Sequence, residues 1–166
     1  MNAMADDVRR LLVRELEAFA REIELFPDEA SVWRTAPGIA NSAGNLALHV
    51  CGNLKHFVGA VLGGTGYVRD RDGEFSRRAV PRREVLREIS ETIEVVTKVL
   101  PKLGAAALAG AYPQRVGGVE VPCGRWLMHL CAHLAFHLGQ AGYLRRAITG
   151  DARTSGAVPV PVLAQP

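Results

Sequence analysis

Cysteine is scarce in this chain, and the shortage already narrows its setting. Only Cys51, Cys123 and Cys131 are present. An odd number in apolar contexts argues against a disulfide framework and fits reduced thiols in a cytoplasm. No apolar run is long enough to span a bilayer. The stretch "MNAMADDVRRLLVREL" brings in acids at once and has no apolar h-region, so neither a secretory signal nor a membrane partner is expected, and the expected location is cytoplasmic. Strong charge of one sign is also missing. The formal net charge is +3 at pH 7, and acids and bases interleave, as in "REVLREISETIE". Despite a pI near 9.0, these charges read as solvated helix faces, and nucleic-acid binding ranks last among the functions considered. There is no internal repeat. One further absence is local: from Cys123 to Gly150 there is no Asp or Glu at all.

What the chain does have is helical periodicity. Its 166 residues are enough for one domain with a real core. Val8, Leu12, Leu16, Phe19, Ile23 and Phe26 recur at spacings of three and four, which predicts a first helix over about 4–26. A second starts after Ser42, a good N-cap, and stops at Gly63-Gly64. A third runs from Pro81 to just before Pro101, on a stripe of Val85, Ile89, Ile93, Val96 and Leu100. The fourth runs over about 124–149 and closes at Gly150. Residues 27–41 read as a loop anchored by Trp33, and 65–80 as a long charged loop. Residues 112–122 read as two short extended pieces around Gly117-Gly118, a candidate small hairpin. The expected fold is all-α: a four-helix bundle domain over 1–150 with a long crossover, then a Pro-rich tail over 151–166 that either straps onto the bundle or moves freely.

The fourth helix poses the functional question. "HLCAHLAFHLGQ", residues 129–140, carries His129, His133 and His137 at four-residue spacing. Residues i and i+4 share a helix face one turn apart, so His133 and His137 can present two imidazoles to one ion. In "NLALHVCGNLKHF" on the second helix, His49 completes a set of three if the two helices face each other. Three neutral imidazoles with an open fourth position suit zinc or nickel first, with iron, cobalt or manganese as the alternatives. His129 lies about 80° around the helix from His137, so it and His56 read as flanking core residues or supports to the ligands. Cys51 and Cys131 point away from the proposed ligands and read as packing residues. Asn45 and Asn53 flank His49 by one turn and are candidates to orient its ring, Asn53 being equally suited to a backbone defect near Gly52. Gln140 reads as an interhelical hydrogen-bonding residue.

The segments "NLALHVCGNLKHFVGAVLGG", "YVRDRDGEF" and "HLAFHLGQAGYLRR", in that order, resemble the DinB-like (DinB/YfiT) superfamily, in particular a subgroup with an RDRDxEF loop. The resemblance implies a four-helix bundle, commonly a homodimer, that holds a divalent metal through three histidines. Position by position these are His49, His133 and His137. It also implies a link to thiol-dependent transferases and isomerases, which some members of the superfamily are.

The chemistry expected from the residues follows from the missing acid. A zinc protease helix would read HExxH, with the glutamate as base. Here the segment is "HLAFH", with Leu134 in that place. Activation then falls to the metal, acting on water or a thiol, or a carboxylate arrives from Asp70, Asp72 or Glu74 of "RDRDGEF". The favoured reading of that loop is structural, held by ion pairs of Arg69 and Arg71. The function expected is a metal-dependent transferase or hydrolase acting on a small molecule, with a low-molecular-weight thiol as candidate cosubstrate. The alternative is a non-catalytic dimeric bundle with structural or vestigial histidines. No catalytic residue is assigned.

Overall fold

The computed structural model describes residues 2–155; most of the Pro-rich tail, 156–166, lies outside them. Four long helices carry the fold: α1 (Ala3–Glu24), α2 (Ala43–Leu54), α4 (Arg82–Val99) and α6 (Cys123–Thr149). Two short ones, α3 (Arg71–Ser76) and α5 (Ala105–Ala109), lie in the connections. Among the described residues there are no strands. The candidate hairpin is reduced to two isolated bridges, Ala111 with Pro122 and Val116 with Val119, around Gly117 and Gly118 at positive φ. The fold is therefore the all-α bundle that the periodicity predicts.

The helices start and stop for local reasons. Asn2 caps α1 by accepting from the Ala5 amide, and Ser42 caps α2 by accepting from the Asn45 amide. Gly150 ends α6 in the left-handed conformation at φ 70°, which a residue with a Cβ adopts only at a cost. The α1 stripe of Val8, Leu12, Leu16, Phe19 and Ile23 is buried throughout. Each such side chain contributes on the order of 1.5–3 kcal/mol by leaving water. α1 packs against α4 and α6, and α2 packs against the same two helices from the opposite side. α2 and α6 are thus neighbours along one edge of the bundle, the arrangement a shared histidine site requires.

α2 does not stop at Leu54. It continues as a π-helical segment over Lys55–Leu62, a widening often found beside functional sites. The Phe57 carbonyl in this segment accepts from the Tyr112 hydroxyl at 2.6 Å, tying α2 to the 111–122 turn. Trp33 anchors its loop as expected: its ring lies against Gly44, where a Cβ would approach it to 2.7 Å, and its indole N–H donates to the Val80 carbonyl at 3.1 Å.

The charged connection is more ordered than the sequence suggests. Within the expected loop over 65–80, Asp70 accepts from the Gly73 amide at 2.9 Å and caps α3. Asn45 donates to the Glu74 and Arg77 carbonyls, at 2.9 and 3.0 Å, so this segment is stitched onto α2. At the other end, residues 151–155 fold back on the bundle. Arg145, fully buried, donates to the Asp151 and Arg153 carbonyls, and the Ser155 amide donates to Glu22.

Candidate metal centre

Helix α2 delivers His49, and α6 delivers His133 and His137. The Nε2 atom of His133 lies 3.3 Å from that of His49 and 3.1 Å from that of His137. The three side chains offer ligand atoms that all lie within 4.8 Å of one another. His49 is buried and the other two are half-buried, so the cluster has one open side.

The proton positions follow from the partners. His49 Nδ1 lies 2.9 Å from Glu74 Oε2, a carboxylate oxygen that can only accept. His49 therefore carries its proton on Nδ1 and turns the Nε2 lone pair inward. His137 does the same through Nδ1 and the Gln140 side-chain carbonyl at 2.8 Å. His133 has one Nε2 proton at most and cannot donate it to both neighbours. At least one close N···N contact then sets lone pair against lone pair, which is unfavourable unless a cation lies between them. Four nitrogens around tetrahedral zinc at about 2.0–2.1 Å would stand about 3.3 Å apart, close to the two separations seen here. The donor set fits a divalent ion with an open coordination position.

The electrostatics agree. Burial first, and then the neighbouring His137, His49, His129 and Arg69, lower the His133 pKa to about 4. Burial also lowers that of His137, partly offset by its bond to Gln140. Both rings are therefore neutral near pH 7, the form that binds metal.

Glu74 organises the α2 side. Burial pushes its pKa up, but the hydrogen bonds from Arg69 and His49 outweigh this and hold it below the ordinary glutamate value. Arg69 clamps it with two bonds, Nε to Oε1 at 2.7 Å and Nη2 to Oε2 at 2.8 Å. A glycine on α2 makes the close approach possible, since a Cβ at residue 52 would fall 2.0 Å from Glu74 Oε1. Glu74 is thus committed to an arginine and to the ring it orients. This matches the structural reading of the loop for Arg69 but not for Arg71, whose guanidinium lies over the Phe75 ring at 5.4 Å. Asp70 caps a helix.

Three expectations need correction. Asn45 and Asn53 do not orient His49: Asn45 spends its amide on the Glu74 and Arg77 carbonyls, Asn53 Oδ1 is buried without a hydrogen-bond partner, and the partner of His49 is Glu74. Gln140 does not bridge helices but turns back three residues to His137. Of the two readings of His129, core residue or support to a ligand, the first falls: it is exposed, and it stacks between Trp126, at 4.8 Å, and His133, at 6.0 Å, which fits the second. His56 lies off the site, against Gln114 at 3.1 Å. Burial raises the Cys51 pKa to about 12 and that of Cys131 to about 11, as suits packing thiols.

A family model described as the DinB superfamily matches residues 11–141, from α1 through all three histidines. The chain belongs to the DinB superfamily. A search of curated proteins finds no match to it. The DinB superfamily is typically a metal-binding helical fold, and the three-histidine cluster lies within the matched span. Among the described residues, no helix of this DinB-superfamily chain is long and apolar enough to cross a membrane.

Proposed function

We propose that this chain is a divalent-metal-dependent transferase acting on a small molecule, with a low-molecular-weight thiol as cosubstrate and His49, His133 and His137 as the metal ligands. The observation that carries this reading is the commitment of Glu74. Among the described residues it is the carboxylate that hydrogen-bonds to the histidine cluster, and it is held by Arg69 and His49. α6 supplies no acid of its own. The free carboxylate base of an HExxH hydrolase is missing here, whereas a thiol is deprotonated outright when it coordinates a metal ion and needs no such base. A divalent ion at this centre supplies Lewis acidity, lowering the pKa of a thiol or water that reaches it. The residues of the chain do the rest. Glu74 fixes the tautomer and direction of His49, Gln140 does so for His137, and burial keeps His133 neutral. Zinc and nickel suit the three imidazoles best.

The test begins with elemental analysis of protein purified without chelator. One divalent ion per chain is expected, lost in His49→Ala, His133→Ala and His137→Ala but kept in His129→Ala and His56→Ala. Failure to take up zinc or nickel at neutral pH would overturn the site. A screen of electrophiles with different thiols then tests the reaction. Turnover of an ester or amide with no thiol present would favour a hydrolase. The family resemblance also leads us to propose a homodimer, for which light scattering should give twice the 17.9 kDa chain mass.

A further inference from the structure

Gln140 faces two ways. One side of it holds His137, and the other forms the end wall of a groove of about 490 Å³. The groove lies one helical turn beyond the histidines. Buried Leu46 of α2 and Leu144 of α6 line it, together with exposed Ile39 of the 36–41 loop, Tyr143 and Ala147. Leu46 and Leu144 line the groove together, and the His49 and His137 rings lie 5.0 Å apart, so α2 and α6 run antiparallel here and the groove continues the line of the site. Among the described residues, no charged side chain lines it. Ile39 and Tyr143 are 48% and 76% exposed, and the Arg146 guanidinium lies over the Tyr143 ring at 4.7 Å without lining the groove.

From this placement we infer that the groove receives an uncharged, apolar arm of the small-molecule substrate, whose polar reacting end lies at the three Nε2 atoms. The volume falls in the range of small-molecule sites, about 300–1,000 Å³. The walls decide the class. A charged group seated there would lose its hydration and gain no counter-charge, because Gln140, Asn41 and Tyr143 offer only neutral dipoles. An alkyl or aryl group would displace water from Leu46, Ile39 and Leu144 at no such cost. Gln140 sets the junction: its carbonyl is engaged with His137, and its amide N–H₂ is left to meet the polar end as it turns toward the histidines.

This inference rests on the metal reading above, and its test separates the two. The cobalt-substituted protein is titrated with n-alkylthiols from ethanethiol to hexanethiol, following the thiolate-to-cobalt charge-transfer absorption. The band reports the head group, and the chain-length dependence reports the groove. Affinity should rise about fourfold per added methylene, the value expected when each CH₂ leaves water. A hexyl chain ending in a carboxylate should lose that gain. Ile39→Asp, a change at an exposed loop position, should flatten the slope. A band with no chain-length dependence in the unaltered protein would overturn the groove while leaving the metal site standing. No band with any thiol would remove the metal–thiol reading and this inference with it. A flat slope with a doubled mass that Ile39→Asp returns to that of one chain would place a second copy in the groove, and would also overturn it.

Discussion

Two buried carboxylates, Glu22 and Glu74, are each paired with an arginine, and the two pairs do different work. Glu22 on α1 meets Arg145 on α6, with Nε to Oε1 at 2.5 Å, and both side chains are essentially inaccessible. The remaining donors of Arg145 turn outward to the Asp151 and Arg153 carbonyls, and Glu22 Oε2 takes the Ser155 amide. Every spare group ties down main chain. At Glu74, by contrast, Arg69 gives two bonds to the carboxylate, its Nη2 also lying 3.3 Å from His49 Nδ1, and the lone pairs left on Oε2 take His49. The first pair fastens α1, α6 and the start of the tail. The second aims a ring. The chemistry is the same, and the geometry of the unused hydrogen-bonding capacity decides the role.

The most disruptive way to break this comparison is at Arg145. Arg145→Met leaves Glu22 buried with no cation, which typically costs about 3–5 kcal/mol. Urea denaturation should show a loss of that size, while the fraction that remains folded should bind zinc as before. A loss near that of an exposed ion pair, below about 1 kcal/mol, would mean that the pair is not the fastener described.

The corresponding change at the other pair should read out in affinity before stability. Glu74→Gln removes the negative charge that polarises His49 and releases Arg69. Supports of this kind are worth about 10–100-fold in metal affinity. Competition against a chromophoric chelator should show a loss in that range, with a smaller change in the urea midpoint than Arg145→Met. Gly52→Ala should reproduce the affinity loss without touching any charge, since its Cβ would occupy the position of Glu74 Oε1. Unaltered affinity in both variants would make Glu74 a loop fastener like Glu22.

These two pairs also mark how far the sequence could be read. The long helices announce themselves through stripes such as Val8–Leu12–Leu16 and through caps at Ser42 and Gly150, because each signal is local and repeats over several turns. The four-residue spacing of His133 and His137 is local too, and needs only α2 alongside to bring in His49. α3 stays hidden because six residues containing a glycine give no periodicity, and only the Asp70 cap hints at it. The link between Glu74 and His49 crosses 25 positions and depends on the loop lying against Gly52, which no spacing rule encodes. The pairing of Glu22 with Arg145 crosses 123. Gln140 was within reach, since residues i and i+3 are neighbours on a helix, and a polar residue there had two possible partners.

Acid should separate the histidine side of the centre from its carboxylate side. The native His133 pKa of about 4 lies below the ordinary value of 6.5. Between these two values the unfolded chain binds the proton and the native protein does not, so stability falls as pH drops from about 6.5 to about 4. Glu74 acts lower. Its pKa is depressed from 4.5, so the stability it contributes is full above that value and is lost only as pH falls further. Urea midpoints of metal-free protein should therefore already decline between pH 7 and pH 5. Replacing His133 by Gln should reduce that early decline, the remainder belonging to His137, whose pKa is also lowered from 6.5, while Glu74→Gln should leave it and blunt the later one. The reverse pattern would assign the early titration to the wrong side.

The smallest effect belongs to the other acids of the charged segment. Asp70 accepts from the Gly73 amide and caps a helix of six residues. Asp70→Ala should cost about 1 kcal/mol, the usual value of an N-cap. Asp70→Asn keeps an acceptor in place and should cost a few tenths. Asp72, in the first turn of α3, contributes through the helix dipole alone, so Asp72→Asn should cost about 0.3–1 kcal/mol or less. None of these changes touches the histidines. Because α3 carries Glu74, a frayed α3 should weaken metal binding slightly, and Asp70→Ala should do so more than Asp70→Asn. The decisive measurement is turnover of the folded, metal-loaded variants once a substrate is known. A general acid or base contributes about 10²–10⁴-fold, far more than a frayed turn can. A thousandfold loss of kcat in Asp70→Asn, with stability and affinity nearly intact, would make that carboxylate a participant in the reaction and turn the reading from thiol transfer toward hydrolysis.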